Sequence, residues 1–214
     1  MSLEFRYFRA PESEMSALLP GERVCSLCSQ RGRCFSLDYV ISAELSEEER
    51  SGKIGCYDCL RRDRFGFMHG TEVGLITEEG LLSHSEPDDS PRRVFVVASD
   101  GAAIADTAPL VQPPNSHVTD EAVAELRRTP GFATWQEVVW PVHCDGFMAY
   151  LGIWGPEDFE QAAPEGEGRQ LFLEMVDPSF HPAWPEDGNP DFGQNFVAFE
   201  CLHCQARTAI FDID

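Results

Sequence analysis

Apolar and polar residues alternate in several short stretches of the chain, which is the pattern of strands with one buried face. Every second position is apolar over residues 35–41, and residues 4–9 alternate less regularly. Both stretches predict short half-buried strands. Residues 94–98 are continuously apolar and predict a buried strand, with a hairpin turn at residues 99–101. Residues 138–140 predict a further strand.

Three helices are expected from their end residues. Ser46 precedes three glutamates, which is typical of an N-cap with acids in the first turn. Thr119 or Asp120 caps a second helix that ends near Arg128, before a Pro-Gly pair. Pro156 begins a third, acidic helix, because proline is favoured in the first turn.

The C-terminal part combines strands with a long loop. Residues 171–173 are apolar and predict a strand, whereas residues 177–194 are rich in Pro and Gly and predict an irregular loop. Loops of this length are often functional. Residues 196–199 and 208–211 predict two strands joined by a Cys-x-x-Cys turn, which is the arrangement of a zinc-ribbon hairpin.

Taken together, these elements predict an α+β fold, with zinc-ribbon-like knuckles, short antiparallel sheets and a few short helices. Three regions are expected: a Cys₄ zinc-binding region over residues 1–65, a strand-rich segment over residues 66–118, and a region with a second zinc knuckle over residues 119–214. A single compact domain is the alternative.

Composition predicts a chain with a hydrophobic core and no membrane segment. Of the 214 residues, 43% are hydrophobic and 15 are Phe, enough to build a core. The longest apolar runs are too short to cross a membrane. Residues 1–6 are charged and lack the apolar segment of a signal peptide. We therefore expect a cytoplasmic protein.

The strong negative charge disfavours two classes of partner. The formal net charge is −21, and 37 acidic residues face only 16 basic ones. Nucleic-acid binding depends on Lys and Arg that neutralise phosphates, and anionic membranes attract the same residues. Nucleic acid and membranes are therefore unexpected partners, and a protein partner of unknown identity is expected instead.

Four cysteines in two Cys-x-x-Cys pairs predict a first zinc ion. Cys25 and Cys28 form one pair, and Cys56 and Cys59 form the other. Two such pairs supply the tetrahedral thiolate shell of structural zinc. A redox pair or chance spacing is the alternative, but a redox pair is usually found next to a βαβ pattern, which these pairs lack.

A second zinc ion is predicted from cysteines far apart in the chain. Cys144, Cys201 and Cys204 supply three thiolates. The neighbouring His143 is the first candidate for the fourth ligand, and His203 and Asp145 are alternatives. If water were the fourth ligand, the site would be open and catalytic.

The remaining cysteine and three of the histidines are expected to have no part in these sites. Cys34 stands outside the pairs and is interpreted as a small buried hydrophobe, with a ligand role as the alternative. His69, His84 and His117 lack ligand spacing and are expected on the surface.

Knuckle turns favour Gly after the second Cys, because that position takes a positive φ. Ser29, Leu60 and Gln205 stand there instead. The knuckle backbones are therefore expected to be less regular than in a simple ribbon.

The chain resembles the CbrC family of bacterial colicin-tolerance proteins in several blocks that follow the same order. They are Phe5-Arg6-Tyr7, the two Cys pairs, residues 128–136 with the sequence RTPGFATWQ, residues 140–145 with the sequence WPVHCD, and residues 199–204 with the sequence FECLHC. The segment 66–118 is longer here, and Gln205 replaces a family Gly. The resemblance implies a zinc-binding cytoplasmic protein without an assigned enzymatic activity, and an association with tolerance to E-group colicins.

Three functions follow from these observations. The first is a non-catalytic interaction protein stabilised by two zinc ions, in which Phe180 and Trp184 of the long loop are candidate contacts. The second is a metal-dependent hydrolase with an open zinc site at Cys144, Cys201 and Cys204, where Asp145 or His203 acts as general base. The third, which the charge disfavours, is a nucleic-acid-binding zinc ribbon.

Overall fold

The structure is a computed structural model that describes residues 3–42, 44–77, 81–84, 93–94, 110–111, 118–134, 139–185 and 195–212. It confirms the α+β class, because short antiparallel sheets alternate with short helices. No helix in the described ranges is long and apolar enough to cross a membrane.

The N-terminal part is a three-stranded antiparallel sheet with two short helices. Its elements are β1 (Leu18–Val24), β2 (Arg31–Ser36), α1 (Glu47–Arg50), β3 (Ile54–Cys56) and α2 (Tyr57–Arg61). The expected cap of α1 is confirmed: the Ser46 hydroxyl accepts from the Glu49 amide, and the Glu49 carboxylate accepts from the Ser46 amide. A 3₁₀ helix precedes the sheet at Glu12–Glu14.

In this part the strand predicted at 35–41 is confirmed only for Phe35 and Ser36, and the strand predicted at 4–9 is wrong. Strand β2 ends at Ser36, because the Asp38 carboxylate turns the chain by accepting hydrogen bonds from the Ser36 hydroxyl and the Gly52 amide. Tyr39, which was predicted on the buried face of the strand, is 77% exposed. Residues 4–9 form a tight turn in which Phe5 bridges Phe8, and Phe8 in turn bridges Tyr150. The aromatic side chains of this turn pack into the core, so their spacing does not reflect a sheet face.

The middle part contains a small antiparallel sheet and a separate strand pair. The sheet is formed by β4 (Gly70–Thr71), β5 (Gly74–Ile76) and β6 (Leu82–His84), and the pair by β7 (Arg93–Val94) and β8 (Leu110–Val111). The strand predicted at 94–98 lies outside the described residues except for Val94, and the predicted hairpin turn lies outside them altogether.

The C-terminal part begins with a helix and a tight hairpin. Helix α3 (Asp120–Arg127) has its expected cap, since Thr119 accepts from the Ala122 amide. The hairpin consists of β9 (Val142–His143) and β10 (Gly146–Phe147). A strand was also predicted at 138–140. Val138 lies outside the described residues, and the prediction is wrong at Trp140, which makes an isolated bridge to Thr71 instead.

The rest of the C-terminal part is a three-stranded antiparallel sheet covered by two helices. Its elements are β11 (Ala149–Trp154), α4 (Pro156–Ala162), α5 (Gly168–Met175), β12 (Asn195–Glu200) and β13 (Arg207–Asp212), with 3₁₀ helices at Pro164–Gly166 and Pro178–Ala183. The expected acidic helix at Pro156 and the two strands around the last Cys pair are confirmed.

Two further expectations about this part are wrong. Residues 171–173, predicted as a strand, lie in α5. The predicted loop at 177–194 begins as a 3₁₀ helix. Its aromatic side chains pack inwards: the ring of Phe180 lies 4.5 Å from that of Phe211, and the ring of Trp184 lies 5.1 Å from that of Phe172. Residues 186–194 lie outside the described residues.

Two hydrophobic cores lie on opposite faces of the β11–β12–β13 sheet. In β12, Val197 and Phe199 point into the first core, and Phe196 and Ala198 point into the second. The first core also contains residues of the N-terminal sheet, whereas the second lies under α4 and α5. Burial of both faces explains why residues 196–199 of β12 are continuously apolar.

Candidate metal centres

The first centre lies between two turns of the N-terminal sheet. Cys25 and Cys28 lie in the turn that joins β1 to β2, where the Ser29 amide donates to the Cys25 carbonyl at 2.9 Å. Cys56 ends β3 and is the N-cap of α2, so one helical turn places Cys59 beside it. The two pairs thus face each other across the sheet.

Distances between the four sulfurs match a tetrahedral metal shell. The Sγ atoms of Cys25 and Cys59 are 3.8 Å apart, and those of Cys28 and Cys56 are 3.6 Å apart. All four lie within 4.8 Å of one another. Because a Zn–S bond is about 2.3 Å, the edge of a tetrahedral shell is roughly 3.8 Å. The four thiols can therefore hold one metal ion, and we call them the Cys₄ centre.

Backbone amides stabilise negative charge in the Cys₄ centre. The amides of Leu27 and Cys56 donate to the Cys25 sulfur at 3.3 and 3.2 Å. Burial alone raises the pKa of this thiol, but the amide donors outweigh burial and lower it to about 7. Burial and the neighbouring thiols raise the pKa of Cys59, and burial raises that of Cys56. A bound cation reverses such shifts, because thiolates are the metal-binding form.

Cys34 lies next to this centre but outside it. It pairs with Cys56 across β2 and β3, is fully buried, and its thiol points to the carbonyls of Arg23 and Gly32. Burial and the sulfurs of the centre raise its pKa to about 11. This placement supports the interpretation of Cys34 as a small buried hydrophobe and not as a ligand.

The second centre depends on a tight hairpin turn. His143 pairs with Gly146, which leaves Cys144 and Asp145 as a two-residue turn, and both have positive φ angles of 50° and 57°. Positive φ at both central residues is the type I′ geometry of short hairpins. The sharp reversal lets the adjacent His143 and Cys144 direct their side chains to the same point.

Cys201 and Cys204 reach that point from the turn between β12 and β13. The Gln205 amide donates to the Cys201 carbonyl at 3.0 Å, and the Cys201 amide donates to the Ala206 carbonyl at 2.7 Å. This turn repeats the first knuckle. Ser29 and Gln205 both adopt the left-handed conformation, with φ near 60°. The expectation of irregular knuckles without Gly is therefore wrong for these two turns, and Leu60 avoids the requirement because it lies in α2.

One imidazole nitrogen and three sulfurs form the second centre. The Nδ1 atom of His143 is 3.2 Å from the Cys144 sulfur and 3.3 Å from the Cys204 sulfur, and these two sulfurs are 3.6 Å apart. With Cys201 added, the four donor atoms lie within 4.8 Å of one another. We call this group the His-Cys₃ centre.

Burial differs among the donors of the His-Cys₃ centre. His143 and Cys201 are buried, whereas Cys144 and Cys204 are exposed. Burial, together with the nearby His203, lowers the pKa of His143 and favours the neutral imidazole that binds metals. Burial and the neighbouring Cys201 and Cys204 thiols raise the pKa of Cys144 to about 12.

The two alternative fourth ligands lie outside this group. Asp145 and His203 are both exposed, and neither belongs to the four donors. The backbone amide of His203 donates to the Cys201 sulfur at 3.4 Å, so this residue contributes through its main chain. The structure thus brings together all eight residues predicted as ligands, in the two expected groups.

Two residues, Arg64 and His69, have surroundings that the sequence did not indicate. Arg64 lies beside the Cys₄ centre, with its Nη1 atom 2.9 Å from the Leu27 carbonyl and 4.0 Å from the Cys59 sulfur. The basic residues among positions 61–64 are the sequence feature that could have indicated a positive charge beside this centre. His69 was expected on the surface and is 8% exposed, packed against Trp140. The side chain of His84, and His117 as a whole, lie outside the described residues.

A profile described as "Uncharacterised protein family (UPF0167)" matches residues 3–213, which include both centres. The chain belongs to the UPF0167 family. A UPF0167 protein of Pseudomonas aeruginosa strain PAO1, PA1536, is 32% identical over 119 residues. That alignment covers 53% of this chain and 61% of the relative, so less than two thirds of the relative is matched. No solved structure matches this UPF0167 chain. The descriptions of the family and of the relative name no ligand, activity or partner.

Proposed function

We propose that this UPF0167 protein is a non-catalytic, zinc-stabilised interaction protein that holds one Zn²⁺ in each centre. The observation that carries the proposal is that both centres assemble four protein donors. Shells of four sulfur atoms, or of three sulfurs and one imidazole nitrogen, are typical of structural zinc.

The positions of the ligands give each metal ion a structural role. In the Cys₄ centre the ion joins the β1–β2 turn to the start of α2, and in the His-Cys₃ centre it joins the β9–β10 hairpin to the β12–β13 turn. Each ion therefore links segments that are far apart in the chain. Such binding free energy is also folding free energy.

The hydrolase alternative is less well supported than the structural role. A catalytic zinc keeps a position for water and has three protein ligands. Here His143 supplies a fourth donor within 3.3 Å of two of the sulfurs, and the candidate bases Asp145 and His203 are outside the group. The net charge of −21 likewise disfavours the nucleic-acid alternative.

A reducing compartment fits the chemistry of the cysteines. All eight are free thiols in the structure. Thiolate metal centres persist where thiols stay reduced, which supports a cytoplasmic location as part of the proposal.

The partner side of the proposal is supported by exposed apolar side chains in and beside the middle sheet. Met68, Leu75 and Val139 are all exposed, and Leu75 pairs with Gly70 across β4 and β5. The Cγ1 atom of Val139 lies 3.5 Å from the position that a Cβ atom on Gly70 would occupy, so Val139 lies beside β4. Phe180 and Trp184 are less suited to bind a partner than expected, because both pack against the second core.

Tolerance to E-group colicins is a finer part of the proposal, and its support is the resemblance of the sequence blocks to the CbrC family. Survival of a colicin-sensitive strain measures this tolerance. We expect the strain that expresses this chain to survive E-group colicins better than the strain that expresses a Cys56→Ser variant. Equal survival of the vector control and both strains would remove this part and leave the zinc-binding part unaffected.

Removal of metal tests the structural role directly. We expect a strong zinc chelator to abolish the near-UV circular dichroism and the cooperative thermal unfolding of the protein, and added Zn²⁺ to restore both, because structural zinc contributes on the order of 10 kcal/mol. Cys56→Ser should reproduce part of this loss, whereas Cys34→Ala, a matched change outside both centres, should retain both ions. A metal-free chain with unchanged spectrum and unfolding temperature would contradict the proposal.

A further inference from the structure

The two centres differ sharply in the exposure of their cysteines. In the Cys₄ centre, Cys25, Cys56 and Cys59 are buried and Cys28 is half-buried. In the His-Cys₃ centre, Cys144 and Cys204 are both exposed. The second centre therefore presents two adjacent cysteines to solvent, whereas the first centre presents one partly covered cysteine.

The sulfurs of these two exposed cysteines are also positioned to react with each other. They are 3.6 Å apart, and a disulfide bond brings two sulfurs to about 2.05 Å. Cys144 lies in the two-residue turn of the β9–β10 hairpin, and Cys204 ends the knuckle between β12 and β13. To form the bond, the two sulfurs must approach each other by roughly 1.5 Å, the difference between these two distances. Because both residues lie in surface turns, this movement displaces turns and not packed strands.

We propose that Cys144 and Cys204 form a site of oxidative modification, at which a two-electron oxidant such as hydrogen peroxide joins the two sulfurs and releases the metal ion of the His-Cys₃ centre. The Cys₄ centre keeps its ion under the same conditions. This inference rests on the proposed function, because it requires that both centres hold zinc.

The reaction balances with peroxide as the oxidant. One zinc-bound thiolate attacks peroxide, the O–O bond breaks, and a sulfenic acid forms while one oxygen leaves as water after protonation. The second thiolate attacks the sulfenic sulfur, the S–S bond forms, and the other oxygen leaves as hydroxide and is protonated to water. Two thiolates thus lose two electrons, peroxide gains them, and two protons come from solvent. Zn²⁺ leaves because two of its four ligands are lost.

The disulfide replaces one link between the same two turns. The β9–β10 hairpin and the β12–β13 turn, joined by the metal ion before oxidation, are then joined by the bond between Cys144 and Cys204. His143 and the Cys201 thiol are released as free groups. The fold is therefore expected to survive oxidation, and a thiol reductant with Zn²⁺ is expected to restore the centre.

Zinc release during peroxide treatment tests this inference on the whole zinc-loaded chain of 214 residues. The metal content is first measured, and a coloured zinc indicator then follows release. We expect one ion per chain to be released at least about tenfold faster than the other, since oxidation follows thiolate exposure. Mass spectrometry of peptides should locate a single disulfide, between Cys144 and Cys204, and a reductant should reverse it.

Two variants separate the possible outcomes. Cys144→Ser removes both the disulfide and one ligand of the His-Cys₃ centre. This variant should therefore start with about one tightly bound ion, show no fast release with peroxide, and keep the ion of the Cys₄ centre. Cys34→Ala, the matched control, should behave like the unmodified chain. Simultaneous loss of both ions, earlier loss from the Cys₄ centre, or a different disulfide would overturn the inference while leaving the proposed function intact. A starting content below two ions per chain in the unmodified protein would overturn the proposed function itself.

Discussion

At the scale of single residues, the buried imidazole of His69 makes stability depend on pH. Its Nε2 atom lies 2.8 Å from the Thr129 carbonyl oxygen, which can only accept, so Nε2 carries the proton of the neutral ring. The rings of Phe67 and Trp140 lie beside it. Burial lowers the pKa of His69 from 6.5 to about 4.

The sign of the pH effect follows from this lowered pKa. Above pH 6.5 both the folded and the unfolded chain hold a neutral His69, so the residue makes no pH-dependent contribution there. Below pH 6.5 the unfolded chain binds a proton that the folded chain does not, and stability falls until about pH 4. The contribution lost between about pH 7 and pH 5 is roughly 2 kcal/mol.

A His69→Gln variant tests this effect, because the glutamine amide can keep the donor to Thr129 but does not titrate. We expect the free energy of unfolding of the variant to fall by roughly 2 kcal/mol less than that of the unmodified chain between about pH 7 and pH 5. Urea unfolding of both proteins in the same excess of Zn²⁺ measures the difference. If the free energy of unfolding fell equally with pH in both proteins, the pKa of His69 would not be lowered by burial, and the prediction would be contradicted.

The candidate ligands were predictable residue by residue, but their environment was not. Two Cys-x-x-Cys pairs predict a shared metal shell from spacing alone. The role of His143 depends on the type I′ turn at Cys144 and Asp145, which sequence spacing does not reveal because neither turn residue is glycine. The burial of His69 depends on contacts with Trp140 and Thr129, which are more than 50 residues away in the chain.

At the scale of elements, α5 shows how a short apolar run can mislead. Residues 171–173 fit a strand equally well when considered alone, and periodicity does not separate the two in so short a run. The buried residues Gly168, Leu171, Phe172 and Met175 follow helical spacing, and the last three belong to the second core. Elements with clear ends, such as the capped α3 and the two strands around the last knuckle, were predicted correctly.

The helical assignment of α5 predicts a sharp contrast between neighbouring positions. Phe172 is fully buried and contacts the rings of Phe159 and Phe196, whereas Gln170 is exposed. We expect Phe172→Ala to lower the free energy of unfolding by about 3–5 kcal/mol, and Gln170→Ala to change it by less than about 0.5 kcal/mol. Urea unfolding measures both. Similar losses at the two positions would contradict the burial pattern of the helix.

At the scale of the whole molecule, contacts between distant segments organise the fold. The first core joins Tyr7 to Phe147, and Phe8 to Tyr150. These pairs are about 140 residues apart in sequence, and local patterns carry no information about them. The α+β class was therefore predictable, whereas the shared core was not. The division into regions 1–65, 66–118 and 119–214 stays a prediction.

The metal centres are part of this whole-molecule organisation. Cys25, Cys56 and Cys59 of the Cys₄ centre and Cys201 of the His-Cys₃ centre all belong to the first core. A metal ion bound at either centre would therefore be coupled to the packing of the same core. This coupling is the central claim of the structural role proposed for both ions.

X-ray absorption at the zinc edge, combined with metal analysis of the purified chain, tests that claim most directly. We predict two zinc ions per chain, one with four sulfur ligands and one with three sulfurs and one imidazole nitrogen, at about 2.3 Å for sulfur and about 2.0 Å for nitrogen. His143→Ala should convert the mixed shell to one with a water oxygen, whereas His203→Ala should leave it unchanged. A single ion per chain, or a water ligand on the second zinc of the unmodified protein, would contradict the account.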